Sequence, residues 1–321
     1  MFTAPRRIVL GIGLLALASM ASAQLNPGHV IKVVVPFSAG GISDSIARGV
    51  TERMSRELGQ TMVIENRPGA GSRIGTETVV RAPGDGLTIL FTNTTYSILP
   101  TIDASATYDP LKALRPVSIV GTYGLPIVVA AKLPVTTLPE FIAYARKNLG
   151  KLSYGSAGIG SGSHFAGEYF KALTNTQMEH IPYKSTTGAT ADVAAGLVDL
   201  SFDATAKPYA DAGKVRIVAV TGATRDPRMP SVPTAAEAGL KDFVLDSWVG
   251  MLAPPGTPPF VVDRLSRAAN TALADPALRK LLADLGVNPV SGSPAAMTAA
   301  IQRDMTLYSR IATEAHIKAQ P

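Results

Sequence analysis

An α/β fold in two domains is the reading this sequence supports, and three features carry it. Short runs rich in Val and Ile alternate with helix-period stretches along most of the chain, which is the signature of βαβ units and parallel sheets. The chain has 321 residues, enough for two domains at roughly 150 residues each. Two loops of small residues, well separated along the chain, each join a strand end to a helix start.

The elements follow in order. Ile31 to Pro36 reads as a strand, and Ser43 to Leu58 as a helix closed by Gly59, the residue favoured just past a helix C-terminus. Thr61 to Glu65 is a second strand, Gly75 to Arg81 a helix, and Leu87 to Thr92 a third strand, with Pro116–Val120 and Ile127–Ala131 after it. A second series begins with the helix Leu138–Asn148, the strand Leu152–Gly155 and the helix Ser163–Leu173. Met178–Pro182, a helix over Gly188–Ala195, Val198–Asp203, a helix over Pro208–Ala212 and Val215–Thr221 continue it. The remainder is mostly helical, over Pro259–Leu273, Pro276–Leu285 and Pro294–Ile311.

Composition removes several function classes. With 46% hydrophobic and 17% charged residues the chain can bury a full core, so disorder is excluded. Zero Cys removes disulfides, Cys-ligated metal and thiol nucleophiles. Arg6 and Arg7 precede an uncharged run from Ile8 to Met20, and Ala21-Ser22-Ala23 supplies small residues for a signal peptidase. Residues 1–23 are therefore expected to be a cleaved export signal, since the run is shorter than the ~20 apolar residues a bilayer span needs. Cleavage would lower the formal charge from +6 to +4. That small excess, without a basic block, gives no reason to expect a nucleic-acid partner.

The chemistry points to an anion. Strand 31–36 runs into Phe37-Ser38-Ala39-Gly40-Gly41 before the helix that Ser43 and Asp44 open; strand 152–155 runs into Ser156-Ala157-Gly158-Ile159-Gly160-Ser161-Gly162 before Ser163. Small residues let main chain approach a ligand, and a helix N-terminus offers unpaired N–H groups and a positive dipole end. Two such loops in separate domains suggest a pair facing each other across a cleft. Neither ends in the Lys-Ser/Thr of a P-loop, and a third cluster, Pro68-Gly69-Ala70-Gly71-Ser72-Arg73-Ile74-Gly75, has Ile74 where the dinucleotide fingerprint needs glycine. No nucleotide or other cofactor is expected.

Catalytic sets are missing. There is no Gly-x-Ser-x-Gly elbow and no Ser-x-x-Lys, and His29, His164, His180 and His316 contain no i, i+4 pair. Neither an enzyme nor a His-based metal site is expected. Single polar residues remain as ligand candidates beside duller roles. His164 could donate to a carboxylate or satisfy a helix end; Asp44 could fix its loop by accepting backbone N–H bonds. Asp203 ends a strand at the carboxyl edge where α/β sheets bind ligands, and can equally cap the next turn. Asn66, Thr92 and Thr95 follow strand ends and could orient a ligand, while Trp248, the one Trp, reads as packing.

A family resemblance rests on ordered motifs. They are Val35-Pro36-Phe37-Ser38-Ala39-Gly40-Gly41-Ile42-Ser43-Asp44, Glu65-Asn66-Arg67-Pro68-Gly69-Ala70-Gly71, Tyr154-Gly155-Ser156-Ala157-Gly158-Ile159-Gly160-Ser161, His180-Ile181-Pro182-Tyr183-Lys184 and Pro230-Ser231-Val232-Pro233-Thr234-Ala235-Ala236-Glu237-Ala238-Gly239. In this order they resemble the Bug proteins, periplasmic substrate-binding receptors of tripartite tricarboxylate transporters. The resemblance runs from about residue 31 to 311. It implies a type II periplasmic-binding-protein-like fold, a Venus flytrap of two α/β domains with the ligand cleft between them. The domains would be 24–124 plus 223–321, and 125–222. It also implies a small carboxylate held by the backbone of Phe37–Gly41 and Ser156–Ser161, a membrane permease as partner, a monomer, and periplasmic location. A sensor that presents its closed form to a kinase would share this architecture, as would, less simply, an exported hydrolase. Ser38 stands where the family often has Pro, and Ser185-Thr186-Thr187-Gly188 where Gly-x-x-Pro is usual. The first departure touches loop stiffness and the second a contact with the far end of the ligand.

Overall fold

Strands of the first sheet are β1 (Ile31–Val35), β2 (Met62–Asn66), β3 (Thr88–Asn93), β4 (Arg115–Tyr123), β10 (Ser247–Ala253) and β11 (Asn288–Pro289), in the order β11-β4-β10-β3-β1-β2. The second sheet holds β5 (Pro126–Ala130), β6 (Leu152–Ser156), β7 (Met178–Pro182), β8 (Leu200–Phe202) and β9 (Val215–Val220), ordered β7-β6-β8-β5-β9. These come from a computed structural model that describes residues 29–314 and 317. The expected export signal over 1–23 lies outside the described residues.

Parallel pairing, expected throughout, holds in only part of each sheet. β1 runs parallel to β2 and β3, and β6 parallel to β7 and β8. β10 is antiparallel to β3 and β4, and β5 to β8 and β9. Each of these two inserted strands arrives from the other sheet rather than through a crossover helix. The right-handed βαβ rule that enforces parallel pairing therefore does not govern it.

The helices that position the site follow strand ends: α1 (Ile42–Leu58) after β1, α2 (Arg73–Val80) after β2, α3 (Thr95–Ile102) after β3, α5 (Gly162–Thr174) after β6 and α6 (Thr186–Ala194) after β7. Between β5 and β6 lies α4 (Leu138–Lys147), started by a Thr137–Glu140 capping box; α7 (Lys207–Asp211) precedes β9. Sequence patterning missed α3 because Pro100 sits inside it. Proline has no N–H for the carbonyl four residues back, and here that carbonyl, Tyr96 O, accepts from Tyr108 Oη at 2.9 Å instead.

Three cores result. Val33, Val35, Ile46, Val50 and Met54 pack with Leu265 of α8 (Pro259–Ala274) and Leu278 of α9 (Pro276–Asp284). Under the second sheet, Phe141, Phe165, Phe170, Phe202 and Phe243 form an aromatic cluster. A third, on the other face of the first sheet, holds Val34, Leu90, Tyr96, Trp248 and Met297. α10 (Pro294–Glu314) joins it to the second: Trp248 Nε1 donates to Asp304 Oδ2 at 2.6 Å, and Tyr308 meets Phe165 edge-on at 5.1 Å. Trp248 is fully buried packing, as its sequence context suggests.

The chain passes between the sheets after β4 and again before β10, and the two passages touch. A Cβ on Gly124 would lie 2.2 Å from Gly222 N. Beside them Thr221 Oγ1 accepts from Leu125 N and donates to Leu245 O, both at 2.9 Å. Gly124→Ala must push the passages apart, and overpacking of this kind costs about 1–3 kcal/mol. A thermal melt should show Tm lowered by roughly 3–10 °C; an unchanged Tm would show that the crossing tolerates separation.

Candidate functional site

A cleft of about 720 Å³ opens at the carboxyl ends of the parallel strands of both sheets. From the first sheet come Pro36, Phe37 and Ser38 after β1, Pro68 to Arg73 after β2, and Thr95, Leu99, Ile102, Asp103 and Ser105 on and after α3. From the second come Ala157, Ile159, Gly160, Ser161 and Gly162 after β6, and Lys184 after β7. The two small-residue loops thus face one cleft. Across it the second loop comes close to α3, since a Cβ on Gly160 would lie 2.2 Å from Ile102 Cδ1.

The first loop is shaped by a buried carboxylate. Asp44, 2% exposed, accepts from Gly40 N, Arg48 Nε and Asn66 Nδ2, each at 2.9 Å. Asn66 Nδ2 also donates to Phe37 O at 3.1 Å. Burial disfavours the ionised carboxyl, yet the hydrogen bonds from Arg48, Gly40 and Asn66 outweigh it and hold the group at about 2. Asp44 and Asn66 are therefore spent on the loop rather than presented to the cleft. The amide of Gly40, taken from sequence as a ligand donor, is spent too. Within the described residues, the amides of Ser38 and Ala39 have no acceptor, and neither do the first-turn amides of α1 by helix geometry.

The second loop pairs most of its own amides. Ala157 N donates to Ser163 Oγ (2.9 Å), Gly158 N to Ser156 Oγ (3.0 Å), Gly160 N to His164 Nδ1 (3.0 Å) and Ser161 N to Gly158 O (3.1 Å). Ser161 Oγ caps α5 by accepting from His164 N at 3.2 Å. His164 is buried at 6% exposure and stacks on His180 with ring centroids 4.3 Å apart. His180 stacks in turn on Tyr154, and its Nε2 lies 2.6 Å from Ser156 Oγ. Because an amide can only donate, His164 Nδ1 must carry a lone pair and the ring must be neutral.

Six of the sequence-derived residues line the cleft: Phe37, Ser38, Thr95, Ala157, Gly160 and Ser161. Ala39, Gly40, Gly41 and Gly158 belong to the same loops, while Ser156 and His164 stand behind the second one. Two candidates sit elsewhere. Asp203 is fully buried and accepts from Thr186, Thr190 and Thr205 hydroxyls at 2.8–2.9 Å and from Thr205 N, so its carboxylate clamps the start of α6 to the turn after β8. Thr92 is fully buried inside β3, and its Oγ1 lacks a hydrogen-bond partner. Sequence reasoning missed Arg73, Lys184 and the apolar pair Leu99 and Ile102. The glycine cluster just before Arg73 is the feature of the sequence that marks this wall.

A family model for the tripartite tricarboxylate transporter family receptor matches residues 46–316. The chain belongs to this receptor family. The UPF0065 protein of the tcbD-tcbE intergenic region of Pseudomonas sp. (strain P51) is 35% identical over 320 residues, 98% of this chain and 95% of that protein. Among solved structures, an R. palustris protein with adipate is similar at a TM-score of 0.81 and 32% identity, covering 92% of this chain and 99% of that one. MatC from Rhodopseudomonas palustris with bound malate is similar at 0.77 and 31%, covering 89% and 99%. The fold is that of periplasmic solute-binding proteins with two domains, and the family is one of receptors, not enzymes. Among the described residues no cluster of His, Asp and Glu has metal-binding geometry.

Acid should loosen the receptor through its histidine stack. Burial, with the neighbouring His164 ring adding to it, pulls His180 down to about 4, and burial lowers His164. Unfolded, both take up protons near pH 6.5. The stability that the neutral pair confers is therefore complete above about 6.5 and is lost as pH falls towards 4. Tm should drop across that window, and His180→Gln, which keeps a group able to bond Ser156, should flatten the drop. In the first loop, Asp44→Ala leaves Gly40 N and Arg48 Nε without their acceptor, at about 1–3 kcal/mol. It should lower Tm and weaken ligand binding together; a melt and a titration unchanged by it would remove Asp44 from this role.

Proposed function

We propose that this receptor captures a small organic carboxylate, a dicarboxylate, tricarboxylate or aromatic acid, between its two domains and delivers it to the membrane permease of a tripartite tricarboxylate transporter. One observation carries the reading: loops from the carboxyl ends of both sheets share one cleft, α5 begins in its wall at Gly162, and the loop that lines it through Ser38 leads into α1 at Ile42. Helix N-termini favour anions. The adipate and malate held by two structural relatives support a carboxylate as that anion.

In this reading the domains are 24–124 with 223–321, and 125–222, hinged at the Gly124–Gly222 crossing. In the loop Phe37–Gly41 the free amides of Ser38 and Ala39 grip the carboxylate from one side, and in the loop Ala157–Ser161 the start of α5 meets it from the other. Thr95 orients the ligand, and Asp44, Asn66, Ser156 and His164 keep the loops in shape. Closure around the ligand is a hinge motion, and the closed form is what the permease meets. Export through a signal over residues 1–23 places the receptor in the periplasm, where it works as a monomer without a cofactor.

A thermal-shift panel of mono-, di- and tricarboxylates and aromatic acids tests this. Ligand at 100 times its Kd adds ~2.7 kcal/mol to stability, so at least one acid should raise Tm by several degrees. No shift with any acid would overturn carboxylate capture.

A further inference from the structure

The glycine-rich segment after β2 has no part in the two-loop design, yet it forms a wall of the cleft. Its backbone is unusual. Gly69, Ala70, Gly71 and Ser72 have φ of 131°, 45°, 60° and 86° in succession. Two of the four carry side chains, for which the left-handed region is uphill, and such strain persists where surrounding structure imposes it and often where a ligand binds. Ser72 sits at the N-cap of α2, but its side chain makes no capping bond. It lines the cleft, is only 3% exposed, and its Oγ has no hydrogen-bond partner. A buried hydroxyl left unpaired in this way lacks a partner within the protein, and at the cleft wall a ligand or an ordered water can supply one.

Next to it stands Arg73. Its Nε is buried and makes no hydrogen bond, lying 3.4 Å from Asp103 Oδ2 in a loose ion pair, while Nη1 is 3.7 Å from Glu77. Asp103 is itself committed, because its Oδ1 accepts from Ser105 N at 2.8 Å and from Ser105 Oγ. Across the cleft Lys184 is exposed and has no ion-pair partner among the described residues. The charged residues of the lining are Arg73 and Lys184 against Asp103, an excess of one positive charge. Between this corner and the small-residue loops the wall is apolar, made by Leu99, Ile102 and Ile159.

We infer that Ser72 and Arg73, faced by Lys184 of the other domain, form a second anion subsite, so that the ligand is a dicarboxylate held at both ends with its carbon spacer against Leu99, Ile102 and Ile159. The inference rests on the capture reading above and narrows it. One carboxylate meets the free amides of the paired loops. The other takes the unpaired Ser72 hydroxyl and draws the Arg73 guanidinium from Asp103, a charge-assisted contact stronger than the loose pair it replaces.

Calorimetric titration of the full receptor with acids of matched carbon skeleton reads this directly: succinate against butyrate, glutarate against valerate, adipate against hexanoate, terephthalate against benzoate. At least one dicarboxylate should bind about tenfold or more tightly than its monocarboxylate partner. Arg73→Gln should remove that preference, weakening the dicarboxylate about tenfold and the monocarboxylate less than twofold, and Arg73→Lys should restore part of it. Ser72→Gly should raise Tm, because glycine accepts the left-handed backbone, and at the same time weaken the dicarboxylate about threefold; a merely structural serine would give the first change without the second. Should Arg73→Gln fail to fold, Lys184→Gln, at an exposed side chain, carries the same test with an expected loss of about threefold. Equal binding of both members of every pair, or a preference that survives both Arg73→Gln and Lys184→Gln, overturns the subsite and leaves carboxylate capture standing. No binding by any acid overturns both.

Discussion

Every buried backbone N–H needs an acceptor, and that requirement organises this molecule around its cleft. A small-residue loop at a strand end has no ladder and no helix to satisfy its amides. The protein provides acceptors from its own side chains: Asp44 for Gly40, Ser163 for Ala157, Ser156 for Gly158 and His164 for Gly160. What remains unpaired is a small residue of donors, at Ser38, Ala39 and the helix starts. Rigidity and binding capacity therefore compete for the same groups. The loops are stiff because most of their amides are spent, and selective because few are left.

The two domains solve that competition with different chemistry. In the first, a charge does the work, since Asp44 gathers an amide, an amide side chain and a guanidinium around one buried carboxylate. In the second, neutral groups do it: two hydroxyls, and a histidine that must stay unprotonated to accept from Gly160. Held by neutral groups, the second loop adds no fixed negative charge of its own to the cleft. Asp44 presents its charge to Arg48, not to the cleft.

Much of this was legible in the residues. Val- and Ile-rich runs located β1, β5 and β9, and the strand–loop–helix repeat located both small-residue loops. Two kinds of feature were not. β10 and α3 escaped because their determinants are long-range: Gly250 in the one strand is tolerated where Ser118 O and Met297 pack against it, and Pro100 in the helix is tolerated because Tyr108 rescues Tyr96 O. Partner choice among polar side chains also escaped. Asp203 and Asn66 stand at strand ends in sequence, where ligand contacts are common, but only the fold brings three threonines to the first and Asp44 to the second. Spacing along the chain names the candidates at a sheet edge; it does not say which of them find each other first.

Closure then becomes a question of what opening has to break. The covalent crossings at Gly124 and Gly222 touch, so they permit rotation more readily than separation. α10 ties the two bodies on one side, with Asp304 bonded to Trp248 and Tyr308 against Phe165. At the cleft the contact between Ile102 and Gly160 is apolar and small, and an isoleucine end exposed to water costs about 1 kcal/mol. In the proposed capture, a small cost at this contact would keep open and closed states close in free energy. A ligand shifts that balance only by its differential affinity for the two. In that proposed capture, groups on both walls supply such an affinity, because closure brings the loop of β1 and the loop of β6 to the same anion.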